Sequence, residues 1–372
     1  MAETLRVGII GTGRAGQCHA AAFSRLPGVA VTALWNRTRS RAEKLATTLN
    51  QPCVQVYEDW HNLIEQSQVD IVSIATHPTV RQEPFAKALA QQRHVLVEKP
   101  LSLSLPEAQA MASLARQAKT VTAISFNWRY SPGCLTTKRA IQDGQIGRLL
   151  NLRTEWRIKY DPRSSTTGPW SEMGGSLREA GSHEFDRVRF LTGWQFERIV
   201  CSLKLCPERQ ARSLSANSIP SDIAASVMAD MSDQNLAVVG LAITPGEPER
   251  RITICGEEGT LIFGNEWVTL QPGEDRSKIV MLGNEVHVFR QRGDDADSVM
   301  LEPAESDRQP PTILSGQHTW NRLIADFVTA VRHGDLLHQR VPQLAHISDG
   351  LAAQAVINAC ELSHAERRWV DV

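Results

Sequence analysis

A glycine-rich turn near the start of the chain constrains the fold more than any other feature. It follows a short apolar run at 5–10 and opens an amphipathic stretch, which is the pattern of a strand, a tight turn and a helix start. The first glycine permits the turn, the second lets backbone approach a pyrophosphate, and the third lets helix pack on strand. An ordinary strand-to-helix turn is the alternative, but this context favours a dinucleotide site at the helix N-terminus. The residues predicted to bind it are Gly11, Thr12, Gly13, Arg14, Ala15 and Gly16.

Strand-like and helical runs alternate through the first third of the chain. Strands are predicted at 5–10, 29–35, 70–75, 94–97 and 121–125, and helices at 14–25, 38–48, 79–91 and 105–118. This alternation is typical of βαβ units in a doubly wound parallel sheet. Dinucleotides bind such sheets at the carboxyl ends of the strands. We therefore predict an α/β protein that begins with a Rossmann domain at 1–125.

The rest of the chain has a different pattern. Runs rich in Val, Ile, Leu and Thr are separated by turn signals, which predicts a mostly antiparallel sheet. These strands are expected at 149–158, 197–205, 222–231, 235–244, 250–255, 259–271 and 278–290. Helices are expected at 132–142, 173–191, 317–333 and 345–364, and a loop or linker at 303–316. We predict a second α/β domain at 126–372, for binding substrate and for oligomerisation.

Composition excludes several classes of partner. The formal net charge of −1 provides no field that would recruit nucleic acid or an anionic membrane surface. The seven cysteines are scattered without a CxxC pair, which is typical of reduced thiols and not of disulfides or a zinc site. No apolar run is long enough to span a bilayer, and the first strand leaves no room for a signal peptide. We expect a cytoplasmic protein without a bound metal.

Position 36 bears on the choice of dinucleotide. An NAD-selective fold has an acidic residue about twenty positions after the glycine turn, where it binds the ribose 2′-hydroxyl. This chain has Asn36 there, followed by Arg37, Thr38 and Arg39. A carboxylate repels a 2′-phosphate, whereas arginine and hydroxyl groups bind one. The sequence predicts NADP as the preferred cofactor and NAD as the alternative, unless the arginines are merely exposed residues of the next helix.

The tripeptide Glu98-Lys99-Pro100 closes the apolar run at 94–97. A lysine at the end of that strand would face the cofactor crevice. Its ammonium group could donate a hydrogen bond to a substrate oxygen and stabilise a developing alkoxide. Taken alone, the tripeptide is more typical of surface charge before a proline turn.

Glu179, His183 and Asp186 form a second candidate set. Their spacing places them on one face of an α-helix. A histidine titrates near neutral pH and a neighbouring carboxylate can orient it, as proton transfer between an alcohol and a carbonyl requires. The same three residues could bind a metal, but Gly181 and the lack of an HExxH pattern argue against that. A polar helix face without chemistry is the remaining alternative.

Further motifs extend along the whole chain and together resemble one family. They include His19 after the glycine turn, Phe-Asn-Trp-Arg-Tyr-Ser-Pro at 126–132, Ile-Gly-Arg at 146–148, Ile-Cys-Gly-Glu-Glu-Gly-Thr-Leu at 254–261, Asp-Phe at 326–327, Asp-Gly-Leu at 349–351 and Trp-Val at 369–370. With the glutamate–lysine–proline tripeptide and the spaced histidine, they resemble the Gfo/Idh/MocA family, the relatives of glucose–fructose oxidoreductase and inositol dehydrogenase. The resemblance implies a Rossmann domain followed by an α/β domain with a large open sheet.

The resemblance also implies roles for individual residues. Lys99 matches the family's catalytic lysine, His183 matches its proton-transferring histidine, and the Lys99–Pro100 peptide bond is expected to be cis. Glu179 stands where the family often has Asp, so the carboxylate lies one methylene further out and its role is open. Arg81 stands where the family commonly has histidine. Because arginine is not a base, it either places charge near the cofactor or caps a helix.

Family position suggests further binding residues. For the cofactor, these are Asn36, Arg37, Thr38, Ala75, Thr76, His77, Glu98 and Lys99. For the substrate, they are Asn127, Trp128, Arg129, Tyr160 and Trp170. Aromatic faces suit a sugar or cyclitol ring, although tryptophan is more often a core residue.

The predicted activity is hydride transfer between NAD(P) and a secondary alcohol or ketone of a sugar, cyclitol or related small molecule. Two alternatives stay open, because fold alone does not decide function. One is NAD-dependent glycoside hydrolysis, in which bound NAD is regenerated in each turnover. The other is a dinucleotide-sensing regulator without catalysis. Family members often associate through the C-terminal sheet, so a homodimer or homotetramer is expected.

Overall fold

The computed structural model describes residues 4–49, 51, 53–66, 68–159, 175–205, 222–244, 249–264, 285–292, 295–302 and 317–372. The chain divides into two compact units, and neither is continuous in sequence. Unit 1 comprises Met1–Asn127 and Gly316–Gln354, and unit 2 comprises Trp128–Ser315 and Ala355–Val372. The domain division at 125/126 stays a prediction. Tyr160 and Trp170 lie outside the described residues.

Unit 1 contains a six-stranded sheet whose strands are all parallel. The strands are β1 (Leu5–Ile10), β2 (Val29–Trp35), β3 (Gln55–Val56), β4 (Ile71–Ile74), β5 (His94–Glu98) and β6 (Thr122–Ser125). Their order is β3-β2-β1-β4-β5-β6, so the direction of winding changes between β1 and β4. This confirms the predicted doubly wound sheet and puts the carboxyl ends of β1, β4 and β5 on one edge.

Helices connect the strands of unit 1. They are α1 (Arg14–Phe23), α2 (Arg39–Leu49), α3 (Trp60–Gln66), α4 (Gln82–Ala90) and α5 (Leu105–Gln117). The helix predicted from residue 79 begins at Gln82, because a separate 3₁₀ turn occupies Pro78–Val80. The short pair β3 and α3 was not predicted, since α3 buries only Leu63 and Ile64 and so gives little periodicity.

The core of unit 1 is built from the sheet and these helices. Apolar side chains from neighbouring strands, such as Val72 and Val97, pack with Phe85 of α4 and Met111 of α5. Residues distant in sequence complete it, since Ala345 belongs to the same buried cluster. Two further helices contribute here, α8 (Gln317–His333) and the first part of α9 (Ile347–Glu366).

Within the described residues, unit 2 is built on a sheet of nine strands. Its strands are β7 (Leu149–Lys159), β8 (Phe196–Leu205), β9 (Asp222–Met231), β10 (Asn235–Thr244), β11 (Glu249–Gly256), β12 (Gly259–Gly264), β13 (Glu285–Arg292), β14 (Asp295–Leu301) and β15 (Val370–Asp371). The order is β14-β13-β12-β11-β7-β10-β9-β8-β15, and among these described pairs only β7 and β10 run parallel. This confirms a large, mostly antiparallel open sheet.

In unit 2, α6 (Pro132–Gln142) packs with α7 (Ser182–Thr192), the helix that carries His183. The sequence predicts one α-helix over 173–191, but the structure has a π-helix at Leu177–Gly181 that leads into α7. A π-helical turn contains more residues than an α-helical turn, so side chains four apart are no longer aligned across it. The predicted common face of Glu179 and His183 therefore does not follow from α-helical spacing.

None of the helices in the described part of the chain is both long enough and apolar enough to cross a membrane.

Candidate active site

The glycine turn in unit 1 is shaped by close backbone contacts. Gly11 has φ +97°, and a Cβ there would lie 2.7 Å from the Ala75 carbonyl oxygen. A Cβ on Gly16 would lie 1.9 Å from the Gly11 oxygen. At Gly13 a Cβ would meet nothing within 4 Å. The first and third glycines are thus required by packing, while the second faces open space where a pyrophosphate could approach.

The start of α1 is suited to bind an anion. Gly13 is its N-cap and provides no side-chain cap, and no acidic residue lies in the first turn. The hydroxyl of Thr12 is buried and has no hydrogen-bond partner in the structure. Helix N–H groups, the positive end of the helix dipole and this hydroxyl suit a phosphate group. The residues present therefore fit a dinucleotide at this turn.

The segment after β2 is largely exposed, and some of its polar side chains bind neighbouring residues. The side chain of Asn36 accepts a hydrogen bond from the Thr38 backbone N–H at 2.9 Å. The guanidinium of Arg39 contacts the carboxylates of Glu43 and Glu58 at 2.7 and 2.8 Å. Arg37 is exposed. Of the two arginines predicted to favour a 2′-phosphate, Arg39 is thus held by two acids.

The loop after β4 lies against the glycine turn. The Ala75 N–H donates to the Ile10 carbonyl at 2.8 Å, which continues the sheet pairing past the strand ends. The side chain of His77 accepts from the Thr79 N–H at 3.4 Å and starts the 3₁₀ turn. The structure therefore brings together the predicted residues Gly11, Ala75 and Thr76, since the Gly11 Cβ position contacts both of the latter.

Glu98, at the end of β5, is a buried carboxylate with donors from three directions. His19 Nε2 of α1 lies 3.0 Å from its Oε1, and the Trp320 indole N–H of α8 lies 3.2 Å from the same oxygen. Its Oε2 accepts from the Lys99 backbone N–H at 3.0 Å. Burial raises the pKa of Glu98, but the His19 hydrogen bond and nearby positive charges outweigh burial and lower it to about 2. Trp320 was not found from the sequence, because it follows 222 positions later.

Lys99 follows this anchored carboxylate. Lys99 is partly exposed, whereas Glu98 and Pro100 on either side are buried. The Lys99–Pro100 peptide bond is cis, as predicted. The lysine thus lies at the carboxyl edge of the parallel sheet, the edge that carries the glycine turn.

Of the two roles considered for Arg81, the structure does not show the helix cap, and the placing of charge near the cofactor stays a prediction. Arg81 precedes α4 without making a side-chain cap, and only 4% of the residue is exposed. Its guanidinium donates to the carbonyl of Thr76 and to the carbonyls of Glu98 and Pro100.

In unit 2, a buried carboxylate holds the start of the π-helix. Asp222 of β9 accepts from the Ser176 hydroxyl and from the Leu177 N–H, the latter at 3.1 Å. Burial raises the pKa of Asp222 to about 6, although these hydrogen bonds oppose the shift. π-Helical turns are frequent at functional sites, and this one carries Glu179 and ends next to α7.

His183, in the first turn of α7, is 5% exposed and lies beside two indoles that also contact each other. Its ring centre is 6.4 Å from that of Trp128 and 6.3 Å from that of Trp156. The Arg250 guanidinium packs over both rings, 4.2 Å from Trp156 and 4.9 Å from Trp128. Sequence analysis missed Trp156 and Arg250, which lie on strands and belong to no motif.

Three of the predicted site residues, Asp186, Arg129 and Asn127, bind other side chains in the structure. The Asp186 carboxylate binds the Arg129 guanidinium, with Nε 2.8 Å from Oδ2, and both side chains are buried. The Arg129 guanidinium also lies 4.9 Å from the centre of the Phe190 ring. In unit 1, the Asn127 amide donates to the Thr319 hydroxyl at 2.7 Å. The substrate roles of Asn127 and Arg129 stay predictions. No group of three or more metal-ligating side chains occurs among the described residues.

Comparison with known families identifies the chain. Residues 5–126 match the model for the oxidoreductase family with an NAD-binding Rossmann fold, GFO_IDH_MocA. Residues 138–372 match the C-terminal alpha/beta domain of the same family. The chain belongs to this oxidoreductase family, which confirms the resemblance noted in the sequence and the NAD-binding nature of the Rossmann fold.

Individual relatives are dehydrogenases. The chain is 26% identical over 295 residues to levoglucosan dehydrogenase of Pseudarthrobacter phenanthrenivorans, which covers 71% of this chain and 74% of that protein. It is 28% identical over 195 residues to myo-inositol 2-dehydrogenase of Thermotoga maritima, covering 52% and 57%. The structure of a levoglucosan dehydrogenase in complex with NADH superposes with a TM-score of 0.81 at 21% identity and covers 100% of this chain and 99% of that one. The family and these relatives confirm the prediction of a dehydrogenase-class enzyme.

Proposed function

We propose that the protein transfers a hydride between a nicotinamide cofactor and a secondary alcohol or ketone of a sugar, cyclitol or related polyol. The observation that carries this proposal is Lys99. It is a partly exposed lysine on a main chain anchored by Glu98, at the strand edge that presents the glycine turn. Relatives named for levoglucosan and myo-inositol support the substrate class.

Each residue has a defined part in this proposal. The turn at 11–16 and the start of α1 bind the dinucleotide phosphates, and the bound nicotinamide supplies the hydride chemistry. Lys99 donates a hydrogen bond to the reacting oxygen and stabilises it as an alkoxide. His183 exchanges the hydroxyl proton, a role that suits an imidazole. Glu179 is the proposed partner of this proton transfer, and the indoles beside His183 are candidate walls for a ring-shaped substrate.

We further propose a preference for NADP(H), which rests on Arg37. The chain has no acid at position 36, and Arg37 is exposed beside the end of β2. Fluorescence titration with NADPH and NADH tests this, with tighter binding of NADPH expected. Arg37→Asp should reverse the preference, because a carboxylate repels the 2′-phosphate. Tighter binding of NADH by the unaltered protein would reject the preference without touching the proposed reaction.

A homo-oligomer formed through the sheet of unit 2 is also proposed. Exposed apolar side chains on its strands, among them Met228, Leu236, Phe289 and Val299, support an association there. Light scattering at several concentrations measures the mass, and a monomer at all of them would reject this part.

The reaction is tested with levoglucosan and myo-inositol, each with NAD and NADP, by following reduced cofactor. Lys99→Ala and His183→Ala should each lower turnover by roughly 10²–10⁴-fold while dinucleotide binding persists. His61→Ala, which removes an exposed histidine of α3, is the matched control and should leave turnover unchanged. Turnover retained in either site variant contradicts the assigned role. Cleavage of a glycoside without net cofactor reduction would instead indicate the glycoside hydrolysis alternative.

A further inference from the structure

The Arg81 side chain joins two segments that are separate in sequence. Its Nε and Nη2 lie 2.9 and 2.6 Å from the Thr76 carbonyl oxygen, just beyond the end of β4. Its Nη1 donates to the carbonyls of Glu98 and Pro100, which lie immediately before and after Lys99. Three main-chain carbonyls from the edges of two neighbouring strands therefore meet at one buried guanidinium.

The chemistry of this contact is specific to arginine. A guanidinium is planar, stays charged, and presents five N–H donors in a fixed fork, so it can hold several carbonyls in a set relation. A lysine ammonium is a compact point charge on a flexible stem and cannot copy this geometry. The positive charge also acts on the adjacent Glu98, where it helps to lower the pKa of the carboxylate.

The position of Lys99 depends on these carbonyls. Its own N–H is bound by the Glu98 carboxylate at 3.0 Å, and the carbonyls on both sides are bound by Arg81. The main chain at Lys99 is thus fixed by side chains, because the sheet pairing of β5 ends with Glu98 and Ser125. The side chain at position 81 therefore helps to fix the main-chain atoms from which the Lys99 side chain extends.

We propose that Arg81 is a positioning residue for Lys99. It ties the turn that carries the lysine to the Thr76 carbonyl, in the loop that lies against the glycine turn, and so sets the lysine relative to the bound dinucleotide. The catalytic consequence rests on the proposed function of Lys99. Misplacement of a catalytic group by about 1 Å costs about 10²-fold in rate, so loss of the arginine should act mainly on turnover.

Two variants and one control test this inference. Arg81→Met keeps the stem and removes every donor, and Arg81→Lys keeps the charge but loses the fork. Arg116→Met, on the exposed face of α5 in the same unit, is the matched control. For each protein we would measure dinucleotide binding by fluorescence, then kcat and KM with the polyol that the unaltered enzyme oxidises, and determine a crystal structure.

In Arg81→Met we expect the Lys99 Cα to move by about 1 Å relative to β4 and kcat per dinucleotide-binding site to fall about 10²-fold. Substrate KM and the number of dinucleotide sites should change little. Arg81→Lys should recover part of kcat, and Arg116→Met should match the unaltered protein. A role in stability alone would lower the melting temperature of Arg81→Met but leave kcat per site intact.

An unmoved Lys99 in Arg81→Met, or an unchanged kcat per site, overturns the inference. The proposed function fails in a different way, through full turnover in Lys99→Ala. In that event the crystal structure of Arg81→Met still decides whether the arginine holds the turn.

Discussion

Each of the two proposed catalytic side chains adjoins a buried carboxylate, and the two carboxylates are held in different ways. Glu98 precedes Lys99 and accepts hydrogen bonds from an imidazole, an indole and a backbone N–H. Glu184 follows His183 and receives the Thr154 hydroxyl at 2.7 Å and the Arg250 guanidinium, with Arg187 3.5 Å away. The donors that contact the Glu98 carboxylate directly are an imidazole, an indole and a main-chain N–H, whereas two guanidinium groups lie directly against Glu184.

This difference predicts how much stability each unit loses when its buried carboxylate is replaced. A carboxylate that is buried beside two guanidinium groups is needed to neutralise their charge, because a buried charge without a partner is costly. A carboxylate bound by weaker donors can be replaced by a neutral group at a smaller cost. Unit 2 should therefore lose more stability than unit 1 when its carboxylate is neutralised.

The largest effect is expected for Glu184→Gln. The side chain keeps its size but loses the negative charge that Glu184 places beside the buried Arg250 and Arg187, at a cost of about 3–5 kcal/mol. Urea denaturation of the whole chain, followed by tryptophan fluorescence, measures the loss. Arg198→Met is the control, because its pair with Asp230 is exposed and contributes below about 1 kcal/mol. Equal losses in the two variants would refute the neutralising role of Glu184.

Glu98→Gln is expected to have the next largest effect, and the effect should depend on pH. The folded pKa of Glu98, about 2, lies below its ordinary value of 4.5. Its ionised form therefore contributes stability that is complete above about pH 4.5 and is lost as pH falls toward 2. The variant should be less stable at pH 7 by about 3 kcal/mol, and the gap should narrow at pH 3.5. A gap that is the same at both pH values would contradict a depressed pKa.

The titration of His338 also changes the stability of the protein at acid pH, and it must be separated from that of Glu98. His338 of unit 1 is buried, its ring stacks on that of His346 with the ring centres 3.8 Å apart, and its Nδ1–H donates to the Leu344 carbonyl at 3.1 Å. Burial and the neighbouring His346 lower its pKa to about 4, although Asp335 and Asp349 oppose the shift.

Titration of His338, like that of Glu98, lowers the stability of the fold as pH falls, but it does so at higher pH. Because the folded pKa is below the ordinary 6.5, stability is complete above about pH 6.5 and is lost as pH falls to about 4. His338→Asn suits the positive φ of 51° at this position and should remove about 2 kcal/mol of that loss. Denaturation midpoints at pH 7, 5.5 and 4.5 measure it. An unchanged slope in the variant would show that another group titrates there.

The sequence was most informative where function depends on local spacing. The glycine turn, the strand alternation and the segment around Lys99 lie within single βαβ units, so their periodicity and turn chemistry can be read directly. The Glu98 anchor could not be completed in this way, because its indole donor comes from α8. In unit 2 the π-helix breaks the spacing argument for Glu179. Trp156 contacts His183 from one strand, and Arg250 packs over the neighbouring indoles from another. Contacts between distant segments carry no local signal.

The smallest expected effect isolates that distant donor. Trp320→Phe keeps an aromatic ring but removes the indole N–H, which lies 3.2 Å from Glu98 Oε1, together with the packing of the larger indole. Because His19 at 3.0 Å still binds the same oxygen, the carboxylate stays partnered and the lost hydrogen bond itself should contribute about 1 kcal/mol to the cost. Thermal denaturation measures it, with Trp60→Phe on α3 as a control for loss of an indole elsewhere in unit 1. In the Glu98→Gln background the cost of Trp320→Phe should shrink, since a bond to a charged acceptor is stronger than one to an amide. A cost that is equal in both backgrounds would mean that Trp320 contributes packing and not a hydrogen bond, and that the Glu98 anchor consists of His19 and the Lys99 backbone alone.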